Sequence, residues 1–264
     1  MSMIRRSKMR GRIPILTFHT LEDVSGVTSF SPQVFRRGMA GLHESGFQTL
    51  PLLQAAEDVL QGSSFQQRLC AISFDDGYET VYHEAFPVLQ RHGMTATVFL
   101  TVGGQKEGGQ DCRLPSLNGR TMLSWGQIRE MHRWGVSFGA HTLTHPDLTR
   151  LAPERLEAEI RDSQARIEDA LGTPVPCFAY PYGRYNQRIR EMTRRYFACA
   201  CSDRLGMIGA GSDVYALNRV DAYYLRTDRL FGLMLSALFP WYVGMRAVPR
   251  HIRRAIQSSL SGEQ

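Results

Sequence analysis

Apolar and polar positions follow two alternating rhythms along this chain, and the switches between them fall at glycine or proline. Short runs rich in apolar residues lie at 15–19, 47–50, 69–72, 95–100, 136–140, 197–201 and 216–220. Runs of that length bounded by turn residues read as buried strands. Helical spacing separates them. Ser31 and Pro32 supply capping chemistry for a helix expected to reach about Glu44, with Gly46 ahead of the next run. A second helix is expected to end near Gln90, before Gly93, and a third covers 125–134 and stops at Gly135. The clearest covers 153–171, where Leu156, Ile160, Ile167 and Leu171 form one stripe, Gly172 follows, and Pro174 prevents continuation. Counting gives seven or eight strand–helix units, so the strands should be parallel. The pattern predicts an α/β chain folded as a distorted (β/α)7-8 barrel. It divides into a basic arm (1–12), the barrel (13–228) and an apolar, basic helical tail (229–264).

Length agrees, since single barrels of ~250 residues are common and this chain has 264. The five cysteines are odd in number and form no spaced framework, so buried free thiols and a reducing compartment are expected. Cys199 and Cys201 are expected to face opposite sides of their strand. The net charge of +6 is concentrated at the ends, in Arg5, Arg6, Lys8, Arg10 and Arg12, and in Arg246, Arg250, Arg253 and Arg254. No nucleic-acid recognition motif accompanies it, and no nucleic-acid partner is expected. The basic N-terminus leads into an apolar run too short for a signal-peptide core, which predicts a cytoplasmic protein.

The tail admits two readings. No charge occurs from Leu230 to Met245. That window is shorter than the ~20 residues needed to cross a bilayer, and Pro240 and Gly244 interrupt it. One reading is peripheral contact with the inner face of a membrane through 230–254, with arginines meeting lipid phosphates. The other is a helix packed on the barrel.

Candidate chemistry lies at strand ends. Ser73-Phe74-Asp75-Asp76-Gly77 follows one buried run, and His141-Thr142-Leu143-Thr144-His145 follows another. Parallel barrels place their sites at the C-terminal ends of strands. Two imidazoles and one carboxylate suffice for a catalytic zinc-type site that leaves a coordination position open. The other carboxylate is then free to take a proton from water acidified by the metal. Pro146 disfavours helix at His145, so the His pair is expected on a short turn.

These residues, together with Phe178-Ala179-Tyr180-Pro181-Tyr182-Gly183, resemble the first three motifs of the NodB-homology polysaccharide deacetylases, carbohydrate esterase family 4. The resemblance covers roughly residues 70–185. It implies that Asp75 is the catalytic base and that Asp76, His141 and His145 hold a divalent metal, with zinc the expected ion. It also implies that Pro181, Tyr182 and Gly183 line the groove, with the Tyr182 backbone N–H meeting the oxyanion. The barrel is the family's fold, and 103–120 is expected to form a long loop near the groove.

Two family features are missing downstream. Neither the Asp-x-x-Asp-Trp motif nor the Leu-x-x-His motif follows residue 185. Leu16-Thr17-Phe18-His19 supplies the second from the other end of the chain. That order is similar to the circularly permuted poly-N-acetylglucosamine deacetylases and makes His19 the expected general acid. The family's arginine that pairs with the base is also absent from the third motif, and Arg219 is the expected substitute. Together these features imply hydrolytic N-deacetylation of an N-acetylated sugar or glycan. Given the tail and the lack of a signal, a polyprenyl-linked glycan is one form of that substrate. The alternatives are a deformylase or O-deacetylase at the same centre, and a catalytically silent glycan- or lipid-binding module.

Overall fold

Parallel pairing closes seven strands into a ring in the computed structural model, which describes residues 11–62, 68–103 and 112–248. The strands are β1 (Ile15–Phe18), β2 (Thr20–Leu21), β3 (Ser29–Phe30), β4 (Gln48–Thr49), β5 (Leu69–Phe74), β6 (Thr97–Leu100), β7 (Ser137–Ala140), β8 (Cys177–Ala179), β9 (Cys199–Leu205) and β10 (Leu217–Asp221). The ring runs β1-β10-β9-β8-β7-β6-β5 and closes where Ile15 to Phe18 lie opposite Ala71 to Phe74. β4 pairs with the start of β5, and β2 with β3, both outside the ring. The (β/α)7-8 expectation thus resolves to seven.

The helices are α1 (Pro32–Glu44), α2 (Leu52–Leu60), α3 (Phe86–His92), α4 (Trp125–Trp134), α5 (Pro153–Leu171), α6 (Gln187–Tyr196) and α7 (Asp228–Gly232). A π-helical turn, Val81–Ala85, leads into α3, and a last helix covers residues 239–248. Local chemistry sets their limits. Ser124 and Gln127 form a reciprocal capping box at the start of α4, and Gly172 ends α5 at φ 68°.

Two apolar layers follow from strand alternation. Ile15, Ala71, Phe99, Cys177, Cys199 and Leu217 belong to the barrel interior, joined by Leu52, Ala55, Ala56 and Val59 of α2. Leu16, Ile72, Val98, Phe178 and Ala200 face outward and pack under the other helices. Gly139 is required here: a Cβ would lie 2.5 Å from the Phe99 ring and 2.8 Å from the Cys177 carbonyl. The expectation for Cys199 and Cys201 is overturned, because residues two apart on a strand share a face and both join the interior cluster. All five cysteines are free, and burial pushes the Cys70 thiol up to about 12.

The tail packs on the barrel by one face. Phe231 of α7 presses onto Gly38 of α1, where a Cβ would lie 2.6 Å from its ring. The helix at 239–248 buries Phe239, Tyr242, Val243 and Ala247. The Tyr242 hydroxyl donates to the Tyr224 carbonyl at 2.6 Å. The other face of this helix leaves Trp241, Met245 and Val248 exposed, and Leu238 just before it is exposed too. Among the described residues no helix is long and apolar enough to cross a membrane. Most of the arm (1–10) and the end of the tail (249–264) lie outside the described residues.

Candidate active site

The inward-facing register of the barrel continues past its last apolar layer into polar residues. Ile15 and Thr17 lead to His19, Ala71 and Ser73 to Asp75, Gly139 to His141, Cys199 and Cys201 to Asp203, and Leu217 to Arg219 and Asp221. Period-two alternation therefore delivers six polar side chains from distant parts of the chain to one end of the barrel. They line a cleft of about 460 Å³. Asp76, His145, Tyr182 and Gly183 reach it by turning, not by alternation. Asp76, Thr142, His145 and Tyr182 all have positive φ, between 56° and 75°. Non-glycine residues in that region cost roughly 1–2 kcal/mol each, and such strain gathers at functional sites.

Asp76, His141 and His145 converge. Asp76 Oδ1 lies 3.6 Å from His141 Nε2 and 3.5 Å from His145 Nε2, and the two nitrogens are 3.2 Å apart. His141 Nδ1 lies 2.7 Å from the Ala179 carbonyl, which can only accept, so the proton belongs on Nδ1 and Nε2 presents its lone pair. Burial, with help from His141, pushes His145 down to about 4, so it stays neutral at pH 7. Asp76 Oδ1 is buried without a hydrogen-bond partner, and an unsatisfied buried carboxylate oxygen is costly. An orphaned oxygen facing two imidazole nitrogens fits a divalent cation. Burial, together with the nearby Asp76 carboxylate, pushes the Tyr78 hydroxyl up to about 12.

Asp75 is held differently. Arg219 donates from Nη1 to Oδ1 at 2.7 Å and from Nη2 to Oδ2 at 2.8 Å, while its Nε donates to the Ser202 carbonyl at 2.9 Å. Both side chains are nearly sealed from solvent. Burial alone would raise the Asp75 pKa. The Arg219 charge and hydrogen bonds, with His141 and His19, outweigh burial and hold the carboxyl well below its usual range. His19 Nε2 is 3.9 Å from Asp75 Oδ2, and its side chain is partly open to the cleft.

The third motif forms a tight 3-10 turn, Pro181–Gly183. Its hydrogen bonds run from Gly183 N–H to the Tyr180 carbonyl and from Arg184 N–H to the Pro181 carbonyl, and neither uses Tyr182 N–H. The Tyr182 ring is exposed and meets His145 edge-on at 4.7 Å. Gly183 has no room for a side chain, since a Cβ would lie 2.1 Å from Asp203.

Eight of the nine residues expected from sequence thus border one cleft; the ninth, Pro181, is buried and does not line it. Leu117 and Asn118, from the expected rim loop, line it as well. Sequence reasoning missed Tyr78, Tyr180 and Asp203. Extending the inward series 199-201 by one step would have found Asp203.

Fold and site together define an α/β-barrel protein with a two-histidine, one-carboxylate centre at the strand ends. The polysaccharide deacetylase model matches residues 62–197, and the chain belongs to that family. A Bacillus subtilis (strain 168) protein named as a candidate polysaccharide deacetylase, YxkH, is 27% identical over 234 residues, 88% of this chain and 79% of that protein. The poly-β-1,6-N-acetyl-D-glucosamine N-deacetylase of Escherichia coli K12 is 27% identical over 206 residues, 65% of this chain, and the match spans 30% of that enzyme's length. In fold, the chain is similar to the Streptococcus pyogenes deacetylase PplD, solved with acetate. The TM-score is 0.71 at 24% identity, over 80% of this chain and 92% of that one.

Proposed function

We propose that this protein is a metal-dependent N-deacetylase of an N-acetylated glycan. The observation that carries the reading is the orphaned Asp76 oxygen facing two imidazoles, beside a second carboxylate clamped by an arginine. Asp76, His141 and His145 would hold the ion, and mixed nitrogen and oxygen ligands favour zinc. A bound divalent ion supplies Lewis acidity and lowers the pKa of water.

The chain's own groups supply the rest. Asp75 takes a proton from the attacking water on a lone pair that Arg219 leaves free. As the acetyl carbonyl becomes tetrahedral, the Tyr182 N–H donates to its oxygen. His19 then protonates the nitrogen as the C–N bond breaks, releasing acetate and a free amino sugar. Poly-N-acetylglucosamine is the substrate class suggested by the Escherichia coli relative's name.

The test is release of acetate and free amine in equal amounts from N-acetylglucosamine oligomers by zinc-loaded protein. Formate release, or acetate without new amine, would favour a deformylase or O-deacetylase instead. His19→Ala should slow amide hydrolysis about 10²–10⁴-fold. It should scarcely affect an aryl acetate, whose phenolate leaves unprotonated. Equal losses on both substrates would remove His19 from the acid role.

A second observation bears on where the glycan is presented. Trp241, Met245 and Val248 are exposed on the helix that touches Tyr224 of the cleft wall, Leu238 is exposed just before it, and Arg229 and Arg246 are exposed too. An apolar stripe with flanking arginines suits an anionic lipid surface. This supports a membrane-bound, polyprenyl-linked form of the substrate. Wild type should co-sediment with phosphatidylglycerol vesicles, and Trp241→Ser with Met245→Ser should not, without loss of folding. Equal sedimentation of the two proteins would refute the contact.

A further inference from the structure

Glu159 lies in the middle of α5, on an element that supplies no group to the cleft, yet its carboxylate is fully buried. Its hydrogen bonds run to the segment between the two histidines. Oε2 accepts from Leu143 N–H and Thr144 N–H, both at 2.9 Å, and Oε1 accepts from the Thr144 hydroxyl at 2.7 Å. Arg155, one turn earlier on α5, donates to Oε1 at 2.8 Å. Four donors thus fill the two oxygens.

The segment needs an outside brace. Thr142 at φ 70° and His145 at φ 56° take it out of any regular ladder, so its backbone groups must find partners elsewhere. The carbonyls of Thr142 and Leu143 accept from Val102 and Gly103 N–H, beyond β6. The N–H groups of Leu143 and Thr144 go to Glu159. Inside the loop, His145 N–H donates to the Thr142 hydroxyl at 3.0 Å. The carbonyl side is therefore fixed by the barrel and the amide side by one buried carboxylate.

We propose that Glu159 is a positioning residue for the metal centre: it sets the loop conformation that turns His145 back toward His141 and Asp76. This rests on the metal-binding reading of that trio. Partners one step behind the ligands commonly change metal affinity 10–100-fold when altered.

Glu159→Gln tests it with little change of volume. With the amide oxygen on the two backbone N–H groups, its NH₂ faces the donor-only Arg155 guanidinium and a Thr144 hydroxyl that must turn to accept; reversed, the NH₂ faces the two backbone N–H groups. Ser163→Ala is the control. Ser163 is equally buried on the same helix but bonds only within it, to the Ile160 carbonyl at 2.8 Å.

Zinc affinity of the metal-free full-length chain would be measured by competition with a chromophoric chelator, with thermal unfolding run beside it. Glu159→Gln should bind zinc about 10–100-fold more weakly than wild type, while Ser163→Ala binds as wild type does. The cobalt-substituted absorption spectrum of Glu159→Gln should also change, reporting altered ligand geometry. Wild-type zinc affinity and an unchanged cobalt spectrum in Glu159→Gln, even with a lower Tm, would overturn the inference and leave Glu159 a structural residue. Failure of the wild type itself to bind zinc would instead sink the metal reading on which the inference stands.

Discussion

Arg219→Met is expected to destabilise the protein by about 3–5 kcal/mol at neutral pH, the usual cost of stranding one member of a buried ion pair. Met fills much of the volume but offers no donor. Both Asp75 oxygens lose their partners in a site nearly closed to solvent. The effect should depend on pH, and its sign follows from the direction of the Asp75 shift. In the wild type that carboxyl is held well below its usual range. Its pairing therefore stabilises the fold fully above the unfolded value of ~3.9 and is lost as pH falls toward the folded value. In the variant burial is opposed only by His141 and His19, so the folded pKa rises from its wild-type position. The variant is then least disadvantaged in acid, where Asp75 is protonated, and most disadvantaged at neutral pH. Denaturant unfolding at pH 7 and pH 4.5 checks this, and a stability difference that does not change with pH would contradict it. Activity should follow the same logic, with the acid limb of the rate moving to higher pH.

Asp75→Asn carries the larger effect on rate, an expected loss of about 10²–10⁴ in kcat, the range for removing a general base. Asn keeps the shape and one acceptor oxygen but cannot take a proton from water. Zinc content should stay at the wild-type level, because Asp76, His141 and His145 are untouched and it is Asp76 Oδ1 that faces the imidazoles. An Asp76→Asn variant is the counterpart, since it weakens the ion's site and should lower metal content and rate together. The two neighbours would thus separate, one by rate alone and the other by metal and rate.

That separation was only partly legible in the sequence. The spacing of Asp75-Asp76 and His141-x-x-x-His145 pointed to a metal and a base, because both clusters close strand-like runs. It did not say which carboxylate did what. Backbone geometry separates the two: Asp75 continues the inward alternation of β5, while Asp76 turns at φ 75° and faces the histidines. Arg219 was suggested by position, and its pairing with Asp75 depends on closure of the ring, which leaves only β1 between β10 and β5. Helices with both ends marked in the sequence, α4 by its capping box and Gly135 and α5 by Pro153 and Gly172, agree with their predicted limits. α2 was passed over, since its apolar residues cover the barrel's interior cluster and its start is marked only by Pro51. Glu159 carries no motif at all. A buried glutamate on a long amphipathic helix looks like one more surface charge until the loop it holds is seen in three dimensions.

The tail shows the same limit. Its uncharged window admitted a packed helix or a lipid contact, and composition alone left the two open. Heptad-like spacing places Phe239, Tyr242 and Val243 on one face and Leu238, Trp241 and Met245 on the other. One face is therefore accounted for by the barrel, and the exposed stripe is what the vesicle experiment addresses.

The most direct measurement is acetate release from N-acetylglucosamine oligomers by wild type and Asp75→Asn, each loaded with zinc and assayed for bound metal in the same samples. The account predicts one zinc per chain in both proteins, acetate released by the wild type, and almost none released by the variant. Zinc-loaded wild type that releases no acetate, or a variant that releases it as fast, would contradict the account.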